Sequence, residues 1–214
     1  MPNANIGDDS SIYTGFEYYM HRDMARGGAV KIANDNGDRK GGWIQTYTGK
    51  QFWPIDPRAE DVCIEDIAHS LSMMCRYAGH CERFYSVAEH SVLLSSYVAD
   101  EFKLAALLHD ASEAYLVDVP RPVKPHLAGY YDAEKRVMDA VCDKFGLPKE
   151  FAQEIHDADK AILTDEMQQN MKPTAVTWES ETAPLGIDLE YWTPEEAEIQ
   201  FLTMFGMLVG ELAN

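Results

Sequence analysis

The sequence predicts a mainly helical fold, a single-domain bundle of 214 residues with a small N-terminal β-hairpin and an N-terminal extension. Three observations carry that prediction. From Cys63 onward apolar residues recur at spacings of three and four, the period of helices with one buried face. Strong helix punctuation brackets these stretches, with Ser86-Val87-Ala88-Glu89 and Thr193-Pro194-Glu195-Glu196 at starts and Gly79 and Gly146 at ends. Alternating β-formers, by contrast, are concentrated in one short stretch, residues 43–53.

Taken in order, residues 1–40 are polar and glycine-rich, and are predicted to be a loosely ordered extension or one that docks on a partner subunit. Ala29–Ala33 is a candidate short strand within it. Residues 41–214 form the predicted domain. Trp43–Tyr47 and Gln51–Trp53, turned by Thr48-Gly49-Lys50, predict the hairpin. Ile64, Ile67, Leu71 and Met74 give one apolar stripe through a first helix over 64–77. The second helix runs from Ser86 to about Ala99 and carries His90. A third spans Phe102 to Tyr115, with Leu104, Leu107 and Leu108 as core and His109-Asp110 in its C-terminal half. Pro120, Pro122 and Pro125 then forbid helix and stiffen a loop. Tyr130–Phe145 and Pro148–Gln169 predict two more helices, the latter burying Ile155, Ala158, Ile162 and Leu163. A proline-containing linker with short extended pieces follows over 172–192. The last helix, from Pro194, points Ile199, Leu202, Phe205 and Leu208 at the core.

The formal charge of −18 excludes a general binder of nucleic-acid polymers, which hold phosphate with Lys and Arg. Basic residues do gather locally, with Arg76 and Arg83 before the second helix and Arg121, Lys124 and His126 after the third, so a small phosphorylated ligand is compatible. No apolar run approaches the roughly 18 residues of a membrane span, and the N-terminus has no signal-peptide pattern, so a cytoplasmic protein that avoids membranes is expected. Cys63, Cys75, Cys81 and Cys142 lack CxxC spacing and read as reduced packing residues.

Chemistry concentrates between Phe84 and Lys124. His90 comes first, then His109-Asp110 after the apolar Ala105-Ala106-Leu107-Leu108, then Glu113 and Asp118; two imidazoles and two carboxylates form a mixed nitrogen and oxygen set suited to a divalent cation. An unpaired carboxylate at Asp110 would be costly in such a helix, and a bound cation is the simplest compensation. Downstream, Ile155-His156-Asp157-Ala158-Asp159 offers a further carboxylate.

These residues resemble the H…HD…D signature of the HD-domain metal-dependent phosphohydrolases. Val87–Ser91, His109-Asp110-Ala111-Ser112-Glu113 and Asp118-Val119-Pro120-Arg121-Pro122-Val123-Lys124 are similar to the branch holding bacterial 5′-deoxynucleotidases and phage dATP triphosphohydrolases. Ile64–Leu71 and Cys75-Arg76-Tyr77 resemble phage-borne members. The likeness spans roughly residues 43–170. It implies that His90, His109, Asp110 and Asp159 hold one divalent ion (zinc, cobalt, manganese or magnesium), with a second ion admissible on the substrate. Asp157 competes for the last place, but Ala158-Asp159 before an apolar run matches the family better. The resemblance gives Glu113 the task of orienting or deprotonating the attacking water and Asp118 a role at the leaving side. Arg76 and Lys124 match phosphate-holding positions, and Gly79 and Pro122 border the expected substrate pocket. Where family members often place glycine before the loop aspartate, this chain has Val117. The implied activity is hydrolysis at the α-phosphorus of a deoxynucleotide, with a dNTP (dATP among them) triphosphohydrolase favoured. The alternatives are a 5′-deoxynucleotidase and a nucleotide-binding regulator without turnover. The helical hairpins and apolar last helix predict a homo-oligomer.

Overall fold

The computed structural model describes residues 37–175 and 182–212, so the predicted N-terminal extension and its candidate strand at Ala29–Ala33 lie almost wholly outside the described residues. The description below concerns the unit 39–214. It is mainly helical, with one two-stranded sheet among the described residues.

The sheet is the predicted hairpin in its shortest form. Strands β1 (Ile44–Gln45) and β2 (Gln51–Phe52) pair antiparallel, Ile44 opposite Phe52 and Gln45 opposite Gln51. Gly49 takes φ 81° in the connecting turn, where its missing Cβ removes the steric cost. So short a ribbon is marginal by itself. It is anchored by Phe52, fully buried and stacked on Tyr115 at 3.8 Å. Asp66 adds to this by accepting from the Thr48 amide at 2.7 Å and its hydroxyl at 3.0 Å.

Seven α-helices follow among the described residues: α1 (Ile64–Met73), α2 (Val87–Tyr97), α3 (Lys103–Leu107), α4 (Glu113–Leu116), α5 (Tyr130–Phe145), α6 (Gln153–Asn170) and α7 (Pro194–Leu212). α7 packs against α1, α2 and α3, and α6 against α2. Ile67, Leu71, Val87, Leu107, Leu108, Val137, Val141 and Phe201 build the main core, and Leu94, Ala106, Ile155 and Ile162 a second cluster under α6.

Four departures from the sequence reading have physical causes. α1 stops at Met73 rather than 77, because the next residues turn extended to pair: Val87 donates to Met74 and Arg76 to Tyr85. The third helix is broken in two. Leu108 leaves helical geometry, and the His109 ring nitrogen Nδ1 bonds the Ala106 carbonyl at 2.7 Å, so His109-Asp110 occupy a tight turn between α3 and α4. α6 begins at Gln153, because Ala152 is extended and Phe151 turns in to pack on the second cluster. In α7 the buried line runs through Ala197, Phe201 and Leu208, while Ile199 lies 52% exposed.

Capping follows the sequence at Thr193, whose hydroxyl and amide pair with Glu196. At Ser86 only half of the capping box forms. The Ser86 hydroxyl accepts from the Glu89 amide at 3.0 Å, but the Glu89 carboxylate is used elsewhere. It accepts from the amides of Glu190, Tyr191 and Trp192 at 2.8–2.9 Å. Asp165 does the same for Leu185, Gly186 and Ile187. These two carboxylates tie the non-helical segment before α7 onto α2 and α6.

Candidate metal centre

Three local devices bring the chemistry together. The cap at Ser86 starts α2 so that His90 falls on its inward face, fully buried. The turn between α3 and α4 projects His109 and Asp110 toward it, and α6 supplies Asp159. The donor atoms form a triangle: His90 Nε2 to His109 Nε2 is 3.4 Å, His90 Nε2 to Asp159 Oδ1 3.2 Å, and His109 Nε2 to Asp159 Oδ1 3.7 Å. Ligands about 2.0–2.1 Å from a tetrahedral centre stand about 3.3–3.4 Å apart, so the triangle has the size a transition-metal site requires. Two imidazoles and a carboxylate are also the donor chemistry such an ion takes. His90, His109 and Asp159 can therefore hold a metal ion. Asp110 stands beside them, its Oδ2 3.2 Å from His109 Nε2 and 3.8 Å from His90 Nε2.

Electrostatics favour the form of these acids that binds cations. Burial would raise the carboxyl of Asp110, but His109 and His90 outweigh it and hold it at about 2. Asp159 is lowered further against the same burial, by hydrogen bonds from both histidines. His109 is raised well above the usual imidazole range, since Asp110 and Asp159 overcome its burial. The competitor Asp157 is exposed and bonded to Gln153 at 2.9 Å on another side of α6.

Glu113 opens α4 nearby and is treated oppositely by its surroundings. Burial, with Asp110 and Asp118 adding their charge, pushes it up to about 9 against Arg76 and Lys124. Its Oε2 is buried without a hydrogen-bond partner. Three cations border the acids: Arg76 Nη1 lies 3.7 Å from Asp110, Lys124 Nζ 3.6 Å from Glu113, and the largely exposed Arg121 3.9 Å from Asp159. Asp118 is half-buried at the start of the loop and acts on Glu113 through its charge.

Gly79 and Pro122 are exposed in their loops. Arg83 stacks on Tyr191 at 3.6 Å. The four cysteines are free thiols, with Cys75 and Cys81 Sγ atoms 3.4 Å apart. Among the described residues no helix is long and apolar enough to cross a membrane.

Sequence reasoning missed Glu166. This fully buried carboxylate accepts from His90 Nδ1 at 2.7 Å, Tyr85 Oη at 2.9 Å, Arg76 Nη2 at 3.3 Å, and Tyr77 Oη. Burial would raise it, but Arg76 and His90 bring it down to about 2. One signal was available: Glu166 lies seven residues, two helical turns, beyond Asp159, on the same face of α6.

No family model matches the chain. It is 43% identical over 124 residues to the uncharacterized protein YfdR of Escherichia coli, an alignment covering 58% of this chain and 70% of that protein. It is also 39% identical over 135 residues to an uncharacterized protein of Rhodobacter capsulatus, covering 58% and 69%. Neither name states an activity.

Proposed function

We propose that this chain, which belongs to the family of the Escherichia coli protein YfdR, is an HD-type metal-dependent phosphohydrolase that acts at the α-phosphate of deoxynucleotides. One observation carries the reading: a ligand-sized His90–His109–Asp159 triangle lies beside a buried, unpartnered Glu113 oxygen and three cationic side chains. A structural metal site would need no such neighbours.

His90, His109 and Asp159, with Asp110 as fourth donor, would hold one divalent ion, which when bound polarises a phosphoryl oxygen and acidifies water. Glu113 takes a proton from the attacking water, a role its place beside Asp110 and its free Oε2 suit. Arg76 and Lys124 neutralise charge on the phosphate as it reacts. Asp118, whose charge reaches Glu113, serves the departing deoxynucleoside oxygen.

The dNTP triphosphohydrolase form is favoured, because Arg121 adds an exposed cation at the rim, where outer phosphates would extend. One observation favours the monophosphate form instead: Lys124 is already held by Glu134 at 2.7 Å and Arg76 by Glu166, which leaves less free positive charge.

The test is product chromatography after incubating chelator-treated protein with each dNTP and dNMP, adding manganese, cobalt, zinc or magnesium in turn. Deoxynucleoside plus triphosphate identifies the favoured form, and deoxynucleoside from monophosphates alone the other. No product under any metal refutes the enzyme reading and leaves a nucleotide-binding regulator.

A further inference from the structure

The two ring nitrogens of His90 face two carboxylates of the same helix. Nε2 points to Asp159, 3.2 Å away, and Nδ1 to Glu166 at 2.7 Å. Asp159 and Glu166 are two turns apart on α6, so one rigid element brackets one imidazole. Glu166 is acceptor-only when ionised, so a hydrogen bond to His90 requires the ring proton on Nδ1. In the neutral ring that a metal ion takes, this leaves the Nε2 lone pair directed into the donor triangle.

The same carboxylate also reaches the anion-holding side of the site. Arg76 gives Nη2 to Glu166 at 3.3 Å, while its Nη1 lies 3.7 Å from Asp110. Tyr85 and Tyr77 fill the remaining acceptor positions of Glu166. Tyr77 reaches it from a loop in which Tyr77, Ala78 and Gly79 all have left-handed φ, 57°, 50° and 77°. Non-glycine residues in that region carry strain, so this backbone is held in place by contacts such as this one.

We infer that Glu166 is a positioning residue: it fixes His90 in the tautomer that offers Nε2 to a metal ion, and holds the Arg76 guanidinium in register with that ion. The inference rests on the phosphohydrolase reading and assigns a residue that reading does not use. Outer carboxylates of this kind set ring orientation and ligand basicity, and losing one costs about 10–100-fold in metal affinity.

Two measurements on the full chain test it. Long-range proton–nitrogen NMR of the zinc-loaded protein should show His90 protonated at Nδ1 and bare at Nε2, and an unprotonated Nδ1 overturns the inference. This observation needs no variant. Zinc affinity, read by competition with a chromophoric chelator, should fall about 10–100-fold in Glu166→Gln. Tyr85→Phe removes a hydroxyl from the same carboxylate without touching His90, and should stay within about twofold of the parent in zinc affinity while melting lower. Equal zinc affinity in Glu166→Gln and the parent overturns the inference alone. A parent chain that binds no zinc overturns the phosphohydrolase reading and this inference with it.

Discussion

Val117 makes the first prediction. Its backbone sits at φ 65°, ψ 157°, a region essentially reserved for glycine, and valine is β-branched. Strain of that kind costs about 1–3 kcal/mol. The residue cannot relax, because both sides of its peptide are held: its amide donates to Glu113 at 2.8 Å and its carbonyl accepts from Tyr130 at 3.1 Å. The side chain is 60% exposed, so trimming it loses little packing. Val117→Gly and Val117→Ala both lose the two γ-methyls, glycine loses the β-carbon as well, and only glycine relieves the backbone. At an ordinary exposed site glycine is the less stable of the two by roughly 0.5–1 kcal/mol, because the unfolded chain gains freedom. Here the order should reverse, with glycine above alanine by about 1 kcal/mol, or about 2–4 °C in melting temperature for a chain of this size. Urea midpoints of both variants decide it. Alanine equal to or above glycine would refute the claim that this turn is strained.

Glu113 gives a pH-dependent prediction. A carboxyl whose folded pKa stands above its unfolded value of about 4.3 destabilises the fold increasingly as pH rises past that value. Glu113→Gln should leave metal-free stability unchanged near pH 4 and raise it by several kcal/mol, on the order of 5 at most, near pH 8, since the folded value is about 9; a gain of equal size at both pH values would contradict the burial argument. With metal present, the same variant should retain metal while turnover falls by about 10²–10⁴-fold, as metal analysis and product release will show. Asp159→Asn should weaken zinc binding while Asp157→Asn does not, and calorimetry giving equal losses would reject the assignment on α6. Arg121→Ala should raise KM for a dNTP more than for the matching dNMP; a uniform change across both would place Arg121 outside the outer-phosphate subsite.

Much of the architecture was legible because it depends on local periodicity and caps. The α5 helix needed only its apolar spacing and Gly146, and Thr193-Pro194 marked α7 to the residue. What escaped depends on partners distant in sequence. Ile67, Leu71 and Met74 continue one helical stripe, yet Met74 and Cys75 leave the helix to pair with Tyr85–Val87. The break at Leu108 is invisible to periodicity, since Leu104, Leu107 and Leu108 are buried whether or not the helix continues. At the site, the histidines and Asp110 stood out by their apolar neighbours. Glu166 did not, because Thr164-Asp165-Glu166 in a strongly acidic chain looks like a solvated surface. Its burial is set by three residues of the 76–85 segment and one of α2, and none of them is near it in sequence.

The contrast between two buried glutamates ties stability to chemistry. Glu166 has four donors around its carboxylate, and its surroundings hold it at about 2. Glu113 lies a few residues from the same cluster, has one oxygen without a donor, and is pushed up to about 9. Burial alone would raise both, so the difference comes from what each faces: an arginine and an imidazole bonded directly to Glu166, and, at Glu113, two aspartates whose charge with burial outweighs Arg76 and Lys124. A saturated carboxylate can orient its neighbours but has no capacity left for a moving proton. An unsaturated one, held among like charges, is costly to keep and accepts a proton readily. Fold stability alone would favour removing Glu113 and keeping Glu166. On the proposed phosphohydrolase reading the two do different work, with Glu166 setting geometry and Glu113 carrying the proton.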